Sequence, residues 1–80
     1  MDISAYCDEK GETIAGLAKR LGMHRGHLHK IATGERGWTS KTVLDIEDET
    51  KGLVTADDLA CTRRNFLRRQ ARQAKAARGR

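Results

Sequence analysis

The stretch IAGLAKRLGMHRGHLHKIATGER, Ile14 to Arg36, holds two short apolar-periodic segments with one glycine between them. Thr13 can cap the first, in which Ile14, Leu17, Ala18 and Leu21 recur at i, i+3, i+4 and i+7, the spacing of one helix face. Gly22 stops that helix. The second segment reads as a helix from about His24 to Thr33 that buries Leu28, Ile31 and Ala32, and Gly34 ends it by accepting a positive φ. Two short helices joined so tightly need a small side chain where they cross, and Ala18 supplies it. The second helix must be pinned from below, and Leu28 and Ile31 do this. Together these features predict a helix-turn-helix.

The flanks extend the same pattern. Asp2 can cap a first helix carrying Ile3, Tyr6 and Cys7, which Lys10-Gly11 ends. ERGWT, Glu35 to Thr39, reads as a loop. Ser40 is the expected cap of a fourth helix that turns Val43, Leu44, Ile46 and Thr50 to the core and ends at Lys51-Gly52. Thr55 and Asp58 form a capping-box variant that starts a short fifth helix through Leu59. The expectation is an all-α bundle of about five short helices over residues 1–61, followed by an arginine-rich C-terminal tail or helix over 62–80.

Charge divides at the same place. Residues 1–58 carry eight Lys/Arg against all eleven Asp/Glu, a net −3, whereas residues 59–80 carry eight Lys/Arg and no acid, a net +8. A cationic extension on a mildly acidic body points to a polyanionic partner, nucleic acid first. Cys7 and Cys61 lack any C-x-x-C partner; one disulfide between them is open, but they read first as reduced thiols of a cytoplasmic protein. No run approaches the ~20 apolar residues of a membrane span, and MDISAYCDEK lacks the blocks of a signal peptide.

At 100° per residue, the third helix puts Gly26, His29, Lys30 and Thr33 opposite Leu28, Ile31 and Ala32, with Arg25 and His27 flanking. This side is polar, cationic and free of acids. Such a helix suits the major groove, where Arg or Lys donates to guanine O6 and N7.

The stretch quoted above, followed by IEDETKGLVTADDL, resembles the Cro/repressor-type helix-turn-helix family, and within it the YdaS-like small phage Cro-type regulators. The residues that carry the resemblance are Ala18, Gly22, Gly34-Glu35-Arg36, Ile46-Glu47, Thr50, Gly52, Val54-Thr55 and Asp58-Leu59. The resemblance implies an operator-binding repressor that works as a dimer on double-stranded DNA in a bacterial or phage-infected cytoplasm. It places base reading on Arg25, Gly26, His29 and Lys30, and a phosphate contact on Thr33. Three positions depart from the family pattern: His24 stands where a Ser or Thr cap is usual, Gly26 where a side chain often reads a base, and Ile14 where a phosphate-contacting Gln is common.

Other chemistries find little footing. His24, His27 and His29 have no nearby acid or cysteine to complete a zinc ligand set, and His27 and His29 diverge on a helix. A histidine-rich binding surface would make affinity depend on pH, because imidazole titrates near neutrality. Asp45, Glu47, Asp48 and Glu49 read as a solvated helix face rather than catalytic carboxylates. Gly34-Glu35-Arg36-Gly37 lacks the Lys-Ser/Thr of a P-loop. No enzyme, metal, cofactor or small-molecule substrate is expected. Trp38 reads as cover for the edge of a small core. In the extension, Arg63, Arg64, Arg68, Arg69 and Arg72 are the expected DNA-backbone contacts. Two other roles remain open for it: pairing two subunits through Leu59, Phe66 and Leu67, or folding as an arginine-rich RNA ligand of an antitermination-like protein. An antitoxin or other protein-interaction module is the remaining alternative.

Overall fold

A computed structural model describes residues 1–78. Five helices follow one another, α1 Ile3–Lys10, α2 Ile14–Leu21, α3 Arg25–Thr33, α4 Ser40–Glu49 and α5 Ala56–Arg78, with no strand among the described residues. The chain is all-α.

Local hydrogen bonds set most of the helix ends. Asp2 Oδ1 accepts the Ala5 N–H at 2.7 Å, and Thr13 Oγ1 accepts the Gly16 N–H at 3.0 Å. Each cap satisfies a first-turn donor that has no partner inside its helix. Gly22, at φ +70°, reverses the chain after α2. Its N–H reaches the Lys19 carbonyl, and the Met23 N–H reaches that of Ala18, the paired closure that a left-handed residue permits. One expected cap differs. Thr39, not Ser40, caps α4: its Oγ1 accepts the Thr42 N–H at 3.2 Å, and Ser40 is the first helical residue. α3 begins at Arg25, and His24 caps it, at the position where the resemblance puts a Ser or Thr cap.

Ile3, Leu17, Leu28, Ile31, Ile46, Val54 and Leu59 are almost completely buried and form one core, with Tyr6, Cys7, Ala18 and Val43 around them. Trp38 packs against this core from the loop before α4, half-buried. Thr50 is the buried polar exception. Its hydroxyl donates to the Ile46 carbonyl at 2.7 Å and accepts the Val54 N–H at 3.2 Å, so the turn after α4 closes without an orphaned polar atom. Leu44, expected inside, is 60% exposed, because α4 turns only Val43 and Ile46 fully inward. Cys7 and Cys61 are both free thiols. Burial, with Asp8 beside it, pushes the Cys7 thiol above its ordinary range, which fits a packing group rather than a nucleophile.

The acidic stretch of α4 is less solvated than its composition implies. Lys41 pairs with Asp45 at 3.0 Å, Arg20 pairs with Glu49 at 3.3 Å, and Glu47 Oε1 accepts the Ala56 N–H at 2.9 Å. Arg20 also pairs with Glu12, so one guanidinium joins the end of α2 to both the α1–α2 turn and α4.

The fifth helix departs most from expectation. It does not stop near Leu59 but runs 23 residues to Arg78; Gly79 and Arg80, the end of the expected extension, lie outside the described residues. Its start is the anticipated capping box. The Thr55 N–H donates to Asp58 Oδ2 at 2.9 Å, and the Asp58 N–H donates back to Thr55 Oγ1 at 3.3 Å. The Met1 ammonium, 2.9 Å from the same carboxylate, together with the Thr55 N–H holds Asp58 below the usual carboxylate range. Alanine- and arginine-rich sequence sustains the helix. Its first three turns gain tertiary support, because Leu59 lies in the core and Thr62 and Phe66 pack on the end of α3. The molecule is accordingly long, 46 × 21 × 20 Å.

Candidate nucleic-acid interface

The site begins at the cap of α3. His24 Nδ1 accepts the Gly26 N–H at 3.1 Å, so imidazole does here what a serine or threonine hydroxyl does elsewhere. The same ring lies over Gly26, where an added Cβ would sit 3.3 Å from His24 Nδ1. His24 therefore covers part of Gly26, which is half-buried rather than open.

Leu28 and Ile31 fix the underside of α3. Arg25, His29 and Lys30 are exposed, and His27 is half-buried at the flank. α3 contains no acidic residue, and among the described residues Arg25, Lys30 and Arg36 form no ion pair. Thr33, expected on a phosphate, is half-buried. Its hydroxyl donates to the Lys30 carbonyl at 3.1 Å and accepts the Glu35 N–H at 3.4 Å. Its visible work is to shape the Gly34-Glu35-Arg36 turn.

Residue periodicity alone did not reveal a groove across the two helices. Thr13, Ile14 and Ala15 at the start of α2 face Arg25, Gly26 and His29 across it. Two helix N-termini thus open on one depression, and both contribute N–H groups and positive dipole ends that favour an anion. The departure at Ile14 has a place here: an apolar side chain forms part of the lip where a donor would otherwise stand. The signal available in sequence was the pairing of caps at Thr13 and His24, but only the turn at Gly22 brings them together.

The end of α3 is fixed by α5. Gly34 has φ +89°, and an added Cβ would lie 2.6 Å from the Thr62 carbonyl oxygen and 2.8 Å from Phe66 Cβ. Arg63 Nη1 donates to the Gly34 carbonyl oxygen at 2.7 Å. Arg63 is half-buried and turned inward, unlike the backbone contact expected of it. Arg64, Arg68, Arg69 and Arg72 are exposed, with the Arg69 guanidinium 6.0 Å from the centre of the Phe66 ring. Leu59, considered for subunit pairing, is buried in the core and unavailable for it; Phe66 is half-buried and Leu67 exposed.

Among the described residues no group of three or more His, Cys, Asp or Glu side chains lies close enough to hold a metal ion, and no described helix is long and apolar enough to cross a membrane. No family model matches the chain, and neither the curated proteins nor the solved structures include a match to it.

Proposed function

We propose that this chain is a sequence-specific DNA-binding transcriptional regulator of the Cro-like helix-turn-helix type, a phage or prophage repressor that reads operator DNA with α3. The observation that carries the reading is the exposed, acid-free face of α3, seated on Leu28 and Ile31 beside the paired N-termini of α2 and α3. Arg25 and Lys30 donate to base edges, and His29 and His27 line the flanks of the contact. The groove between Thr13 and Arg25 takes a backbone phosphate. Two copies place their third helices in successive major grooves, about 34 Å apart, on a near-palindromic site. Binding of this kind needs no catalysis, metal or cofactor, and it takes place in the cytoplasm.

Selection of bound duplexes from a random pool at fixed salt tests the reading. A near-palindrome with half-sites about one helical turn apart is expected. A pool that shows no enrichment overturns it.

The exposed arginines of α5 favour one alternative, an RNA ligand bound along that helix in an antitermination-like protein. Structured RNA outcompeting duplex DNA at equal salt would select that reading instead.

A further inference from the structure

A second surface lies on the flank of α5, bordered by Arg63, whose guanidinium is committed to the Gly34 carbonyl. Trp38, Ala60, Leu67 and Ala71 form the floor of a shallow groove, and Arg64 and Arg68 form its rim. Leu67 is 44% exposed, one of few large apolar side chains left in solvent. We propose that this groove docks an acidic amphipathic helix of a partner protein.

Shape and charge both enter the argument. Ala60, Leu67 and Ala71 stand at i, i+7 and i+11, one stripe of the helix about 16 Å long. The small side chains at either end let a second backbone approach, and Leu67 and the Trp38 indole supply the apolar anchors of a helix-in-groove contact. No acidic residue follows Asp58 in the chain, and Arg64 and Arg68 meet no carboxylate among the described residues. A second copy of this chain packed groove against groove would bring the same arginines against them, and like charges at close range are costly. Nucleic acid would satisfy the arginines but leave the Trp38–Leu67 floor without an apolar cover. A helix with leucines on one face and glutamates beside them satisfies both.

Trp38 is the one tryptophan in the chain and lies in the groove, so its emission reports occupancy. The probe is a synthetic helix of about four turns with leucines at i, i+3, i+4 and i+7 and glutamates elsewhere, added to the full chain. A saturable change in Trp38 emission is expected. Leu67→Glu, and separately Arg64→Glu with Arg68→Glu, should weaken it by about tenfold or more. These side chains are exposed, so the variants keep the helical circular dichroism of the parent. The inference is overturned by no response, by an equal response to a scrambled peptide of the same composition, or by an equal response to the lysine counterpart. It is also overturned if Trp38 emission shifts with protein concentration alone, which assigns the groove to a second copy, or with duplex DNA or anionic vesicles alone. The reading of α3 is tested through Arg25 and Lys30 and survives any of these outcomes.

Discussion

Arg63 donates a hydrogen bond to the carbonyl oxygen of Gly34 at 2.7 Å, joining residues 29 apart in the chain. A charged donor on the last carbonyls of a helix is a favourable C-terminal partner. It also sets the direction in which α5 leaves the bundle relative to α3. Arg63→Ala should cost about 1.5–3 kcal/mol of unfolding free energy, the range for a hydrogen bond to a charged group. Urea denaturation measures it. A change within error of zero would mean that packing of Thr62 and Phe66 alone holds the two helices.

Gly22 and Gly34 both sit at positive φ, but their surroundings differ. A Cβ at Gly22 meets nothing within 4 Å, whereas at Gly34 it collides with the Thr62 carbonyl oxygen. Gly22→Ala should cost about 1–2 kcal/mol, from backbone conformation alone. Gly34→Ala adds the displacement of α5 and should cost about 1–3 kcal/mol more. Equal losses in the two variants would show that α5 yields freely.

Arg25→Ala should lose about 1–3 kcal/mol of operator affinity and relax the base preference at one position. Lys30→Ala should behave likewise at a neighbouring position. Binding to the selected site and to single-base variants is the measurement. If discrimination is unchanged in both variants, α3 does not read sequence.

Thr62, Arg63 and Phe66 pack on α3, so removing residues 62–80 would damage the fold along with any charge effect. Arg69→Gln with Arg72→Gln is the cleaner test, since both side chains are exposed and neither lines the Trp38 groove. If both neutralise phosphates, the slope of log affinity against log salt should fall by about 2 for duplex DNA, with specificity unchanged. An unaltered slope removes α5 from the DNA contact.

Asp58 gives a pH signature. Its carboxyl, held down by the Met1 ammonium and the Thr55 N–H, titrates lower in the folded chain than the unfolded value of about 3.9. The stabilisation is therefore fully present above that unfolded value and is lost as pH falls through the folded one. Asp58→Asn should be less stable by about 0.5–1 kcal/mol near neutrality, a modest figure because the site is part-exposed. The difference from the parent should close progressively below about pH 4. A gap that persists undiminished in acid would locate the effect in packing.

What could be read from residue order alone was whatever closes within a single turn. The caps at Asp2 and Thr13, the stops at Gly22 and Gly34 and the Thr55–Asp58 box each join groups no more than five residues apart, so side-chain chemistry and chain stereochemistry decide them locally. Helical periodicity likewise placed Leu28 and Ile31 underneath and Arg25, His29 and Lys30 outside. Long-range packing decided the rest. Leu44 fits the apolar pattern of α4, yet no neighbouring helix covers that side of it. The composition beyond Thr62 fits a solvated tail and a cationic helix alike, and the docking of Phe66 and Arg63 on Gly34 anchors the helix there. Contacts of this kind depend on which distant surfaces meet when the bundle closes. The groove between Thr13 and Arg25 exists for the same reason, because neither helix forms it by itself.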